Sequence, residues 1–236
     1  MSTFQFKHFS VSQANATMKV GTDAMLLGSS VDEENPFSIL DIGTGTGVIA
    51  LMLAQRFNTA SVIGLEIDDE ACQEAKINFE QSTWKDRLEA IHGDILSIQF
   101  DDQFDLIVSN PPYYENSLVS VNERTSRAKH AEFLPVEDLL RKVAFILNEN
   151  GSFWVIIPSE NAESWMLQAE LNQLHLQSSI SILGKEGQKE KRRILAFSKK
   201  KKEVTSSRLT IRNSEGKYTS EYIKLTKEFH DRDLSK

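Results

Sequence analysis

From residue 38 onward, short runs of β-branched and apolar residues alternate with longer amphipathic stretches, and this alternation restricts the fold more than any other feature. SILDI (38–42), SVIGLEI (61–67), RLEAIHG (87–93), FDLIVS (104–109) and SFWVIIP (152–158) read as strands. VIALMLAQRF (48–57), DEACQEAKINFEQS (69–82), VEDLLRKVAFIL (136–147) and AESWMLQAELNQL (162–174) carry apolar residues at helical spacing. Strands joined through helices require right-handed crossovers, which build a mostly parallel sheet covered on both faces. SSISILG (178–184) and RRILAFSK (192–199) are separated only by the charged KEGQKEK, so they must pair antiparallel. The expectation is an α/β fold, doubly wound, with a seven-stranded sheet ending in an antiparallel hairpin.

In such sheets a ligand lies beyond the carboxyl ends of the strands, near the point where strand order reverses. Four strand ends carry unusual residues. DIGTGTG (41–47) follows the first strand, and its glycines permit a tight turn and close approach of a ligand to the backbone. Val48 follows Gly47, so the dinucleotide spacing G-x-G-x-x-G is not met. Asp41 before the turn would repel a pyrophosphate, but it suits the ammonium end of S-adenosylmethionine. Glu66 closes the second strand, placed to accept from ribose hydroxyls. Asp94, in HGDIL after the third strand, is placed to accept from an adenine amino group. Ile67 and Ile95 either sandwich that ring or belong to the core.

The fourth strand runs into NPPYY (110–114). Two prolines cannot continue a ladder, because each lacks an N–H. Pro111 biases Asn110 toward extended backbone, and Pro112 removes a donor. The carbonyls of Asn110 and Pro111, with the Asn110 side-chain oxygen, can then face outward as acceptors for a substrate NH₂. A conjugated amine is a poor nucleophile until its nitrogen becomes more tetrahedral, and two acceptors holding both hydrogens favour that change. Tyr113 offers a ring for a planar base to stack on.

Composition narrows the partners. The net charge is −7, with 40% hydrophobic and 26% charged residues, ordinary for a globular protein. Charge is segregated, however: residues 185–202 hold nine Lys and Arg against two Glu. A basic segment on an acidic body can contact phosphate, since local charge decides, or it is simply a solvated hairpin. Within it Arg192 and Arg193 are candidate RNA contacts. Arg124, Arg127 and Lys129 follow NPPYY in a loop expected to border the target. No apolar run is long enough for a signal sequence or a membrane span, so a cytoplasmic location with no membrane partner is expected. The five histidines are scattered without metal-ligand spacing, so no metal is expected. Cys72 is alone, in a helical pattern, and reads as a buried filler. Nothing calls for more than a monomer.

As an ordered set, D-x-G-x-G-x-G, the acidic end of strand two, G-D after strand three and N-P-P-Y after strand four resemble the class I S-adenosylmethionine-dependent amino-methyltransferases, which have a Rossmann-like fold. FKHFSVSQANATMKVGTDAMLLG and GKYTSEYIKLTKEFH extend the likeness to the bacterial tRNA1(Val) adenine-N6-methyltransferase family. That resemblance implies a tRNA substrate modified at an adenine N6 beside the anticodon, and S-adenosylmethionine as cofactor. It implies that Asp41, Gly43, Thr44 and Gly45 hold the donor's methionine part, Glu66 the ribose, Asp94 the adenine, and Asn110, Pro111 and Tyr113 the target base. Thr22 and Asp23 would lie near the donor's amino-acid end, although Thr22 can instead cap a short helix. Residues 1–35 are expected to cap the donor site, 36–202 to form the core, and 203–236 to add an extension that either packs as a strand, SRLTIR, and a helix or stays mobile until RNA arrives.

Release-factor glutamine methyltransferases share N-P-P-Y for the same chemical reason, but they carry a sizeable helical domain before the glycine turn, where this sequence has 40 residues. Guanine-N2 methyltransferases acting on ribosomal RNA are a third option, commonly with phenylalanine at the position of Tyr113. A fold that merely bound adenosine would leave NPPYY unexplained.

Overall fold

The computed structural model describes residues 3–13, 21–111 and 134–234. Its elements, in chain order, are β1 (Thr3–Gln5), β2 (Ser10–Ser12), α1 (Thr22–Ser30), β3 (Ser38–Ile42), α2 (Val48–Arg56), β4 (Ser61–Glu66), α3 (Asp69–Glu80), β5 (Leu88–His92), β6 (Phe104–Ser109), α4 (Val136–Ile146), β7 (Leu147–Pro158), α5 (Ala162–Leu171), β8 (His175–Lys185), β9 (Glu190–Ser198), β10 (Thr205–Arg212) and α6 (Ser220–Thr226).

One sheet runs in the order β10-β8-β9-β7-β6-β3-β4-β5. Strands β5, β4, β3, β6 and β7 are mutually parallel, and β9 is antiparallel to both β7 and β8. The expected parallel sheet with an antiparallel hairpin is therefore present. SRLTIR adds an eighth strand, β10, parallel to β8 at the edge, and α6 follows it. Of the two expectations for the tail, packing is the one observed.

Two buried clusters cover the two sheet faces, as continuous apolar strands demand. One gathers Ile39, Val62, Leu106, Val108 and Ile156 with residues of α1, α2 and α3. Leu40, Leu65, Ile107, Val155 and Phe197 belong to the other, with residues of α4 and α5. Cys72 is fully buried in the first cluster, as its place in the helical pattern suggested.

Two departures from the sequence pattern have local causes. Strand β7 begins at Leu147, directly after α4, because Asn148 Nδ2 donates to Asp105 Oδ1 at 2.6 Å and Leu147 pairs with Phe104. A Cβ on Gly151 would lie 2.9 Å from the carbonyl oxygens of Phe104 and Asp105, so only glycine fits there. Helix α5 stops at Leu171, before the expected Leu174, and Gln173 takes positive φ in the turn.

The β1–β2 hairpin meets the segment that follows α6. Phe6 stacks on Phe9 at 4.3 Å between ring centroids, and Phe6 bridges to His230. Lys7 N donates to Phe229 O at 2.9 Å.

Candidate active site

The turn after β3 takes its shape from what surrounds each glycine. Gly43, Gly45 and Gly47 have φ of 71°, 55° and 83°, in the left-handed region that glycine tolerates best. Beside Gly43 and Gly45 there is open space where a Cβ would stand, whereas at Gly47 a Cβ would come within 2.4 Å of the Phe79 ring. The first two glycines therefore leave room for a ligand, and the third makes room for helix α3.

Asp41 is fully buried. Its Oδ2 accepts from Thr44 Oγ1 at 2.6 Å and from Ala50 N in the first turn of α2 at 3.2 Å. Its Oδ1 is buried without a hydrogen-bond partner. Burial lifts the Asp41 carboxyl to about 7, against the lowering effect of the Thr44 and Ala50 hydrogen bonds, while the nearby Glu66 charge adds to the rise. The buried carboxylate thus also binds the turn to the helix. Its orphaned oxygen is an acceptor lacking a donor, the polarity that an ammonium group satisfies.

Glu66, at the end of β4, is 9% exposed. Its Oε2 accepts from Gly45 N at 2.8 Å, and its Oε1 accepts from Ile67 N at 2.9 Å and Asp68 N at 3.0 Å. A carboxylate offers about four lone-pair positions, so one stays available to a hydroxyl. Asp94 Oδ1 accepts from Leu96 N at 2.9 Å in a tight turn after β5. Of the proposed sandwich, Ile67 is 51% exposed but Ile95 is 5% exposed and joins the core cluster of Leu40 and Leu65. Ile95 is core, which periodicity alone could not distinguish from a ligand contact.

Strand β6 delivers Asn110 and Pro111, both half-buried, to the same sheet edge. Ser109 Oγ donates to Ile42 O at 2.9 Å and ties the end of β6 to the end of β3. Tyr113, Arg124, Arg127 and Lys129 lie outside the described residues.

Thr22 is the first residue of α1, whose N-cap is Gly21 with no side-chain cap, so the capping role for Thr22 does not hold. Asp23 Oδ2 accepts from Arg192 Nε at 2.8 Å. The Arg193 guanidinium grips Glu190 in two hydrogen bonds, at 2.7 and 2.8 Å. The two arginines read from the basic run as RNA contacts are thus held by carboxylates of the protein. Asp23 lies on α1, 169 positions from Arg192 and beyond the reach of a charge count along the chain, whereas Glu190 lies on β9 itself, three residues before Arg193.

Asn78 escaped the sequence reading. It is 1% exposed, donates through Nδ2 to Thr46 O at 2.8 Å and Ser12 O at 3.1 Å, and accepts from Ser12 N at 2.8 Å. One amide thereby clamps the glycine turn, α3 and the β1–β2 hairpin. The available signal was a polar residue on the buried face of α3, beside Cys72, Ala75 and Phe79.

Residues 12–181 match the family described as the methyltransferase small domain. A tRNA1(Val) (adenine(37)-N6)-methyltransferase from Bacteroides thetaiotaomicron is 40% identical over 96% of this chain and 96% of its own length. One of the same description from Flavobacterium johnsoniae is 42% identical over 96% of this chain and 98% of its own. Among solved structures, a predicted O-methyltransferase from Agrobacterium tumefaciens has a TM-score of 0.69 at 19% identity, covering 88% of this chain and 96% of that one. A methyltransferase from Pyrococcus furiosus has a TM-score of 0.60 at 20% identity, covering 81% and 89%. Those two speak for the fold; the near full-length identity to the curated relatives goes further. The chain belongs to the tRNA1(Val) (adenine(37)-N6)-methyltransferase family, within the methyltransferase small domain.

Proposed function

We propose that this chain transfers a methyl group from S-adenosylmethionine to the exocyclic N6 of an adenine in tRNA, beside the anticodon of tRNA(Val). The observation that carries this reading is the Ser109 Oγ to Ile42 O bond, which sets the Asn110-Pro111 end of β6 against the glycine turn of β3. Two half-sites then adjoin where the strand order reverses.

When bound, S-adenosylmethionine supplies a methyl group on a positively charged sulfur. The open space beside Gly43 and Gly45 and the orphaned Asp41 Oδ1 fit its amino-acid end. Glu66 accepts from a ribose hydroxyl with its remaining lone pair, Asp94 accepts from the adenine amino group, and the exposed Ile67 covers one ring face. Asn110 and Pro111 oxygens accept both hydrogens of the target amine and draw its nitrogen toward a tetrahedral shape, more strongly as positive charge builds. No general base is needed, because the methylated ammonium is acidic enough to lose its proton afterwards. Tyr113 stacks on the target base, and Arg124, Arg127 and Lys129 grip neighbouring phosphates. An anticodon-loop base is already partly unpaired, so its extrusion is less costly than from a duplex.

Residues 1–35 cap the donor side of a 36–202 core, a role supported by the Ser12–Asn78–Thr46 clamp. Residues 203–236 form an extension of the same unit. Among the described residues no helix is long and apolar enough to cross a membrane. A tRNA-modifying monomer working in the cytoplasm is the reading we adopt.

The test is incubation with labelled donor and either total tRNA or peptide release factor, followed by digestion. Label in N6-methyladenosine from tRNA supports the proposal, and label on glutamine overturns it.

A further inference from the structure

In a sheet, residues paired across neighbouring strands share a face. Arg208 on β10 pairs with Ser181 on β8, and Ser181 pairs with Arg193 on β9. The adjoining positions Leu209 and Ile182 are buried on the opposite face, in the core cluster that α1 and α2 share. Arg208 therefore stands on the outward face. Ser206 and Arg208 are exposed, and Ser179, Ser181 and Lys185 are partly so.

The charges on this face are unequal in their commitments. Arg193 is neutralised by Glu190, which Ser181 also contacts. Arg212, at the end of β10, donates to Gly216 O at 2.7 Å and lies 4.1 Å over the Tyr218 ring. Arg208 and Lys185 have no side-chain hydrogen bond or ion pair within 4 Å among the described residues, although the Arg208 charge also acts on Glu190, whose carboxylate is already bonded to Arg193. Lys189 and Lys191 stand exposed in and beside the adjoining turn. Two cations without a bonded carboxylate, set among serine hydroxyls with two more cations beside them, match a phosphate chain, which needs both charge and neutral donors.

Location agrees. Strands β8, β7 and β6 run the same way, so the carboxyl end of β8 at Lys185 lies on the sheet edge that holds Asn110. Strands β8, β9 and β7 stand between β10 and β6, a span of about 19 Å at the usual strand spacing. An RNA whose base enters beside Asn110 has its backbone within reach of this face.

We propose that the outward face of β8 and β10, centred on Arg208, binds the sugar–phosphate backbone of the RNA substrate. This rests on the RNA-methylating reading above and says where that RNA lies. It also moves the principal cation from Arg192 and Arg193, which are internally paired, to a strand of the C-terminal extension.

The experiment measures tRNA binding by the full chain across a salt series for the intact protein and for Arg208→Ala, Arg208→Glu and Arg208→Lys, with S-adenosylmethionine titration alongside. Arg208→Ala should weaken tRNA binding about three- to tenfold and reduce the salt slope by about one, uniformly across tRNA sequences. Arg208→Glu should lose more, and Arg208→Lys should keep the slope. KM for tRNA should rise while kcat at saturating tRNA and donor affinity stay unchanged. If Arg208→Ala and Arg208→Glu bind tRNA with unchanged affinity and slope while the intact protein methylates it, the surface is overturned and the reaction stands. An intact protein that binds no tRNA overturns both.

Discussion

Glu66 Oε2 accepts the Gly45 N–H at 2.8 Å, so the strand end expected to meet the ribose also holds the middle of the glycine turn. The same carboxylate receives the N–H groups of Ile67 and Asp68. Glu66→Ala leaves three backbone donors without their acceptor, and part-buried orphans of this kind cost about 1–3 kcal/mol. Calorimetric titration with S-adenosylmethionine should show affinity reduced about tenfold or more, together with a lowered melting temperature. Unchanged donor affinity would limit Glu66 to a structural role.

Asp41 governs a pH dependence of stability. Its carboxyl is lifted from 3.8 to about 7 by burial, so between those values the folded chain holds a proton that the unfolded chain has released. The stability this contributes is complete below about pH 4 and is lost as pH rises to about 7, at up to about 1.4 kcal/mol per unit. Denaturant titrations across that window should show the fall in the intact protein and a flatter profile in Asp41→Asn. Parallel profiles would mean that Asp41 is ionised throughout.

Gly43 and Gly47 should separate binding from folding. An alanine at either position adopts an unfavourable φ, costing on the order of 1 kcal/mol. At Gly47 it also meets the Phe79 ring, for a total of about 2–4 kcal/mol. Gly47→Ala should therefore lower the melting temperature sharply, and adding Phe79→Leu should restore part of it. Gly43→Ala points into open space and should weaken donor binding more than it weakens the fold.

Asn110→Ala tests the target half-site. Losing one preorganised polar partner of the reacting amine lowers the rate by about 10²–10³. Single-turnover measurements should show that loss with donor affinity unchanged. Parallel loss of donor binding would erase the division between the two half-sites.

The Asp23–Arg192 pair joins the first turn of α1 to β9 across 169 positions of sequence, with both side chains part-buried. A double-mutant cycle with Asp23→Asn and Arg192→Gln should give a coupling on the order of 1 kcal/mol. Exchanging the two charges should recover most of it. Additive effects would show the pair to be energetically silent.

The order of elements was legible because helical and strand periodicities are local, and so was the placing of D-I-G-T-G-T-G, Glu66, Asp94 and Asn110 at successive strand ends. Those positions follow from counting along the chain once a parallel sheet is accepted. Which way a side chain turns and what it meets did not follow. Asp41 faces inward onto Thr44 and α2, Ile95 lies in the core while Ile67 stands open, and Arg192 and Arg193 find Asp23 and Glu190. Nor did the pattern reveal that Asn78 clamps three elements or that Arg208 stands exposed, without a bonded carboxylate, on an eighth strand. Exposure and pairing depend on contacts between distant segments, and only the closed tertiary structure brings those segments together.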